Sequence, residues 1–158
     1  METAEVHTYD VTVTWTGDTG EGTATYRSYR RDHVVSADGP PDLVGSSDPD
    51  LRGDGSRWNP EQLLVASLSQ CHMLWYLHLC AMNDVVVTGY VDAAHGEMAM
   101  NDDGSGQFEA VSLRPQVTVT DPAMVERATA LHAEVPALCF IARSVNFPVH
   151  HEPVVTAV

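Results

Sequence analysis

Three thiols, one first-turn carboxylate and a few guanidinium groups are the side chains of this 158-residue sequence best suited to chemistry. Cys71 sits in a nearly all-apolar stretch that begins Asn59-Pro60-Glu61-Gln62-Leu63-Leu64. A thiol in such a stretch is ordinarily a small core residue. Cys139 lies far downstream, expected in the first turn of a short helix opened by Pro136. Free N–H groups and the helix dipole favour a thiolate at such a position. Cys80 follows Cys71 by nine residues. In a continuous helix that places it on the opposite side, about 13 Å along the axis. A disulfide between these two is then excluded, and Cys80 reads as core. If any pair is redox-active, it is Cys71 with Cys139. Glu61 on its own is a first-turn acid favoured by the helix dipole.

The elements that hold these residues follow from local pattern. Asn59 caps, Pro60 suits the first helical position, and Gln62 can close a capping box, so a helix is expected from there to about Met82. Its apolar residues lie on most sides, which makes it a central helix. Upstream, Tyr9 to Thr16 alternates, with Val11, Val13 and Trp15 on one face, as a half-buried strand. Gly17-Asp18-Thr19-Gly20 turns into a second strand expected over Gly22 to Arg30. Val34 and Val35 suggest a third strand, and Asp38 to Trp58 a long loop. Downstream, Val85 to Met100 reads as one long strand. A turn at Asn101–Gly106 leads to a second strand whose apolar face is Val111, Leu113, Val117 and Val119. Asp121-Pro122 opens a helix to about Glu134, and Phe147 to Val155 closes the chain as a strand. The fold class is α+β, one domain over residues 1–158.

Composition narrows the partners. The formal charge of −14 argues against nucleic acid, whose phosphates need clustered cations. All eight basic residues are Arg, which rules out a lysine Schiff base. The apolar stretch around Cys71 is interrupted by Ser67, Ser69, Gln70, His72 and His78, so no membrane span is expected. The acidic start, Met1-Glu2-Thr3-Ala4-Glu5, shows no secretory pattern, and the cytoplasm is the expected location. Three cysteines in such a chain make no disulfide framework. His72 and His78 do not share a helix face, and His150 and His151 point to opposite faces of a strand. No metal site is expected from them. No phosphate loop or nucleophilic serine motif is present.

The block Asn59-Pro60-Glu61-Gln62-Leu63-Leu64 with Ser69-Gln70-Cys71, followed by Cys139 in Ala137-Leu138-Cys139-Phe140-Ile141-Ala142, resembles the signature of the OsmC/Ohr family of thiol peroxidases. The order of elements is similar over nearly the whole chain. The resemblance implies an N-terminal β-meander, a long central cysteine helix, a long β-hairpin, short C-terminal helices and a final strand, in an intertwined homodimer. It also implies reduction of organic, and secondarily inorganic, hydroperoxides without a cofactor. Cys71 would be the peroxidatic thiolate and Cys139 the resolving thiol, and a lipoylated or thioredoxin-like dithiol would be the reductant. Such chemistry calls for a cation beside the thiol and a carboxylate to orient it. Glu61 matches the carboxylate. The cation is Arg52 in one branch of the family, with Arg27, Arg30 or Arg31 as alternatives, while Arg57 reads as a surface residue. Glu61 and Cys71 are about 15 Å apart along a straight helix, so the carboxylate would come from the other chain of a dimer. Phe140 and Ile141 replace the family's usual Pro and Ser after the second cysteine. Trp58, Met73, Trp75, Tyr76, Phe140 and Phe147 are candidate pocket residues. The rival reading is a non-catalytic redox-sensing or small-molecule-binding module.

Overall fold

A computed structural model describes residues 3–158, which fall into two compact units divided between Leu63 and Leu64. The first carries an antiparallel meander of β1 (Thr12–Trp15), β2 (His33–Ser36) and β3 (Leu43–Gly45), in that spatial order. The meander is as expected, but its second strand is not. Residues 22–30 form turns, and the partner of β1 is β2, pairing Val13 with Val35 and Trp15 with His33. The reason is local. The Asp18 carboxylate accepts the amides of Gly20 and Gly22, both at 2.9 Å, and the Ser28 hydroxyl donates to the Gly22 carbonyl at 2.9 Å. Side-chain bonds of this kind compete with a strand ladder and win in a Gly-, Ser- and Thr-rich segment. Val11, Val13 and Trp15, expected half-buried, are exposed.

The helix α1 (Pro60–Met82) starts as its sequence dictates. The Gln62 amide donates to the Asn59 side chain at 2.8 Å, and the Asn59 amide donates back to the Gln62 side chain at 3.2 Å. That reciprocal pair is a capping box. Asp84 ends the helix in the left-handed region at φ 57°, with the Val85 amide donating to the Cys80 carbonyl at 3.0 Å. At 23 residues α1 is, by length and composition alone, long and apolar enough to cross a membrane, a test that the core helix of a globular protein also passes. It buries a single i, i+4 stripe of Leu68, His72, Tyr76 and Cys80, while Leu74 and Met82 stay exposed.

In the second unit the expected long hairpin is split in two. β4 (Val87–Asp92) pairs antiparallel with β7 (Pro115–Val119), and β5 (His95–Met100) pairs with β6 (Gly106–Leu113). The break falls at the same place on both arms because Asp92 fastens the corner. Its carboxylate accepts the Arg114 amide at 2.6 Å and the Ser69 hydroxyl of α1 at 2.5 Å. The closing strand is likewise divided, with β8 (Val149–His151) parallel to β6 and β9 (Val154–Ala157) parallel to β7. The odd-numbered face survives the split: Val111, Leu113, Val117 and Val119 are all buried. A first core joins Tyr76, Cys80, Val117, Val119, Ala128, Leu131, Val135 and Cys139, and a second joins Leu68, Val111 and Leu113. Gly96 on β5 lets α1 approach, since a Cβ there would stand 2.7 Å from Val65 and 2.8 Å from Phe108. The helix expected after Asp121 is α2 (Val125–Leu131), flanked by 3-10 turns at Pro122–Met124 and His132–Glu134.

Candidate active site

Cys71 lies midway along α1, partly buried, and Cys139 is almost fully buried on the segment between Val135 and Ala142. That segment is not the helix expected from Pro136. The Cys139 amide closes a single turn on the Val135 carbonyl at 2.9 Å, and the chain then turns again before a 3-10 turn at Ala142–Ser144. No helix dipole therefore acts on Cys139. Its sulfur accepts a hydrogen bond from the Ala142 amide at 3.4 Å. Burial, then the neighbouring Cys71 thiol, push the Cys139 thiol up to about 11, against the pull of the Ala142 and Ile141 amides. The two sulfurs, 68 residues apart in sequence, are thus side-chain neighbours, and both are free thiols. Cys80 is buried at the far side of the helix, where burial also raises its thiol.

Beside the pair, on the exposed side of α1, Leu74, Trp75, His78 and Phe140 line an open depression of about 290 Å³. The Trp75 and Phe140 rings meet edge to face at 5.5 Å. Of the six aromatic and apolar residues singled out by sequence, Trp75 and Phe140 line this depression. Tyr76 is core, donating its hydroxyl to the Ala128 carbonyl at 2.9 Å, and Phe147 packs on Phe108. Trp58 belongs to the first unit, where it bridges to Gly45.

Glu61 stands in the first turn of α1, half-buried, with its Oε2 buried and without a hydrogen-bond partner among the described residues. The arginines are arranged unequally. Arg52 is exposed, adopts φ 65° at the end of the 3-10 turn Pro49–Leu51, and sits 5.6 Å over the Tyr26 ring. Arg31 stacks 3.8 Å over Tyr29 and donates to the carbonyls of Tyr29 and Tyr26 at 2.6 and 2.8 Å. Arg27 and Arg30 are exposed. Arg57, expected at the surface, is half-buried and ion-paired with Asp32 and Asp54, each at 3.7 Å. Among the described residues no arginine pairs with Glu61.

Sequence reasoning missed a group of three histidines. His72 and His132 stack and share an N···N hydrogen bond of 2.9 Å, while His151 lies 5.7 Å from the His72 ring. His132 also stacks on Tyr76 at 3.8 Å, and its Nε2 is buried without a partner among the described residues. Burial holds His72 down at about 4 and His132 at about 3; His151 lowers both further, and His72 also lowers His132. The one local signal was the i, i+4 spacing of His72 with the core residues Leu68 and Tyr76. His151 and Cys139 join His72 in lining a cavity of about 10 Å³.

The family model described as OsmC-like protein matches residues 53–153. No curated protein matches the chain. Among solved structures, an OsmC-like protein of unknown function from Vibrio cholerae is 30% identical, with a TM-score of 0.84 over 94% of this chain and 100% of that one. An organic hydroperoxide resistance protein from Legionella pneumophila is 16% identical, with a TM-score of 0.66 over 97% and 99% of the two chains. One from Elizabethkingia anophelis is 18% identical, with a TM-score of 0.66 over 96% and 99%.

Proposed function

This chain belongs to the OsmC-like protein family, and on that premise we propose that it is a two-cysteine hydroperoxide reductase. The observation that carries the reading is the meeting of Cys71 with Cys139, two free thiols brought together from α1 and from the turns after Val135. The Cys71 thiolate attacks one oxygen of the peroxide and breaks the O–O bond. The alcohol leaves, and Cys71 becomes a sulfenic acid. Cys139 then attacks the Cys71 sulfur, water departs, and a disulfide closes. An external dithiol, lipoylated or thioredoxin-like, takes the disulfide through exchange and restores both thiols. The apolar depression of Leu74, Trp75 and Phe140 favours an organic peroxide over hydrogen peroxide, because its walls offer burial to an alkyl group and little to water. No cofactor enters these steps. The test is direct: one equivalent of cumene hydroperoxide should remove two hydrogens and link Cys71 to Cys139 by mass spectrometry. Cycling should then resume on adding a dithiol. A protein that consumes peroxide while Cys71 and Cys139 stay reduced would overturn the proposal.

We place the working enzyme as a homodimer of single OsmC-like domains, 1–158, in the cytoplasm, where free thiols persist. Two features support the dimer. Glu61 keeps a buried carboxylate oxygen unpaired among the described residues, and a buried acid without a cation is unfavourable. β1 is an edge strand whose apolar Val13 and Trp15 are exposed. In this arrangement Glu61 of one chain orients an arginine toward the Cys71 of the other, with Arg52 as the proposed cation and Arg31 less suited because its guanidinium is already engaged. Light scattering should find a dimer at micromolar concentration, and a stable monomer with full peroxidase activity would sink that arrangement.

The raised thiol of Cys139 supports one second reading, a redox sensor whose disulfide closes slowly and is not cycled. Sustained turnover with dithiol separates the two.

A further inference from the structure

Cys71 shares its face of α1 with the residues three, four and seven positions on, Leu74, Trp75 and His78. Helical side chains lean toward the N-terminus, so Leu74 and Trp75 cover the surface one turn back, next to the thiol. Phe140, the residue after Cys139, completes the depression that these three line. Its walls beside the two sulfurs are thus three rings and one leucine. Phe140 is 66% exposed and Leu74 61%, so the depression is open to a ligand arriving from solvent.

The rings stand steeply to one another. Phe140 meets Trp75 at 74° and 5.5 Å, and His78 meets Trp75 at 86° and 5.7 Å. A further ring laid flat on one member of either pair stands edge-on to the other. Stacked and edge-on are the two arrangements that aromatic quadrupoles favour. A saturated ring or an acyl chain buries as much apolar area but has no quadrupole to align. At about 290 Å³ the depression is at the small end for small-molecule sites, which suits one ring better than a long acyl chain.

We propose that this depression selects aryl hydroperoxides, with the ring on the carbon that carries the O–O group, and that Phe140 is the residue that sets the selection. The inference rests on the peroxidase reading and narrows its substrate class. With the O–O group at Cys71, the ring walls begin one helical turn away, ~5.4 Å along the axis. A ring joined directly to the peroxide-bearing carbon spans that step. Trp75 also packs on the first core, so its ring serves the fold as well as the depression. Phe140 is part of neither core, and a change there reads specificity without opening a cavity in the interior.

The experiment compares two tertiary hydroperoxides of like shape, 2-phenylpropan-2-yl and 2-cyclohexylpropan-2-yl. Each is turned over by the reduced full-length protein with excess dithiol, and kcat/KM is divided by the rate with free dithiothreitol to remove intrinsic reactivity. The cyclohexyl compound is at least as apolar, so burial alone gives the phenyl compound no advantage. The wild type should favour the phenyl compound roughly 3- to 10-fold. Phe140→Leu keeps an apolar side chain without the ring, and its ratio should fall to within about twofold of unity. Phe140→Tyr restores the ring and should restore the ratio, which a general loss of packing or of active protein would not do. A wild-type ratio near unity, or a wild-type ratio retained in Phe140→Leu, overturns the selection and leaves the peroxidase reading intact. Loss of the dimer in Phe140→Leu, seen by light scattering, would assign the ring to a second copy of the chain and overturn it as well. Turnover of neither peroxide by the wild type overturns both readings.

Discussion

Replacing Cys71 by serine should lower peroxide turnover by on the order of 10³-fold or more. A serine hydroxyl is un-ionised near neutrality and is a poor nucleophile toward an O–O bond, whereas a thiolate is a strong one. No other thiol can take over. Cys80 is buried, raised by that burial, and lies across the helix from Cys71, while Cys139 is buried without a helix terminus behind it. Cys139→Ser should separate the steps. Without added reductant it should consume one peroxide per chain and stop with a single oxygen on Cys71. A peroxide-consumption assay on both variants, read with the mass of the Cys71 peptide, checks this. A Cys71→Ser protein as fast as wild type, or oxidation that lands on Cys80, would exclude Cys71 as the nucleophile. The same pair separates the sensor reading, in which wild-type protein closes one disulfide and then stops even with dithiol present.

What the sequence disclosed about this site was what short-range physics decides. The capping box of Asn59 and Gln62 is a contact three residues long, and it formed as the residue types demand. The odd-numbered face of Val111 to Val119 follows from the pleat and persists across the split hairpin. Cys80 as core followed from helical angle alone. The failures all belong to contacts made at a distance or to competing local bonds. Asp92 fastens a corner only because Ser69 and the Arg114 amide arrive from elsewhere in the chain, so an unbroken Val85–Met100 strand was the reading the local sequence allowed. Pro136 marks a helix start in many sequences, yet here the chain closes one turn on Val135 and bends away to bring Cys139 to Cys71. His72, His132 and His151 come from α1, a 3-10 turn and β8, and no local spacing announces that they converge.

That convergence carries the second large effect: the fold should lose stability in mild acid. His72 and His132 are depressed from 6.5 to about 4 and about 3, chiefly because burial disfavours the charged imidazole. A depressed folded value means that the unfolded chain binds the proton first. The stabilisation is therefore present above about 6.5 and is lost as the pH falls toward the folded values. At pH 5 both rings are still neutral in the folded protein and mostly charged in the unfolded one. Each then forfeits roughly 2 kcal/mol, about 4 kcal/mol together, against the 5–15 kcal/mol that holds a typical domain. Two other effects are smaller or opposite in this window. Carboxylates titrate mainly below pH 5, and partial neutralisation of the −14 charge relieves self-repulsion and stabilises the compact state. Urea unfolding at pH 7.5 and pH 5.0 should show a lower midpoint at the acid value with an unchanged slope. The double variant His72→Gln with His132→Gln should start less stable, having lost the shared hydrogen bond, but should show little change between the two pH values. Equal pH sensitivity in the variant and the wild type would move the acid effect away from these histidines. An acid effect that disappears with them would mean that the neutral pair next to Cys139 is held neutral by the fold itself.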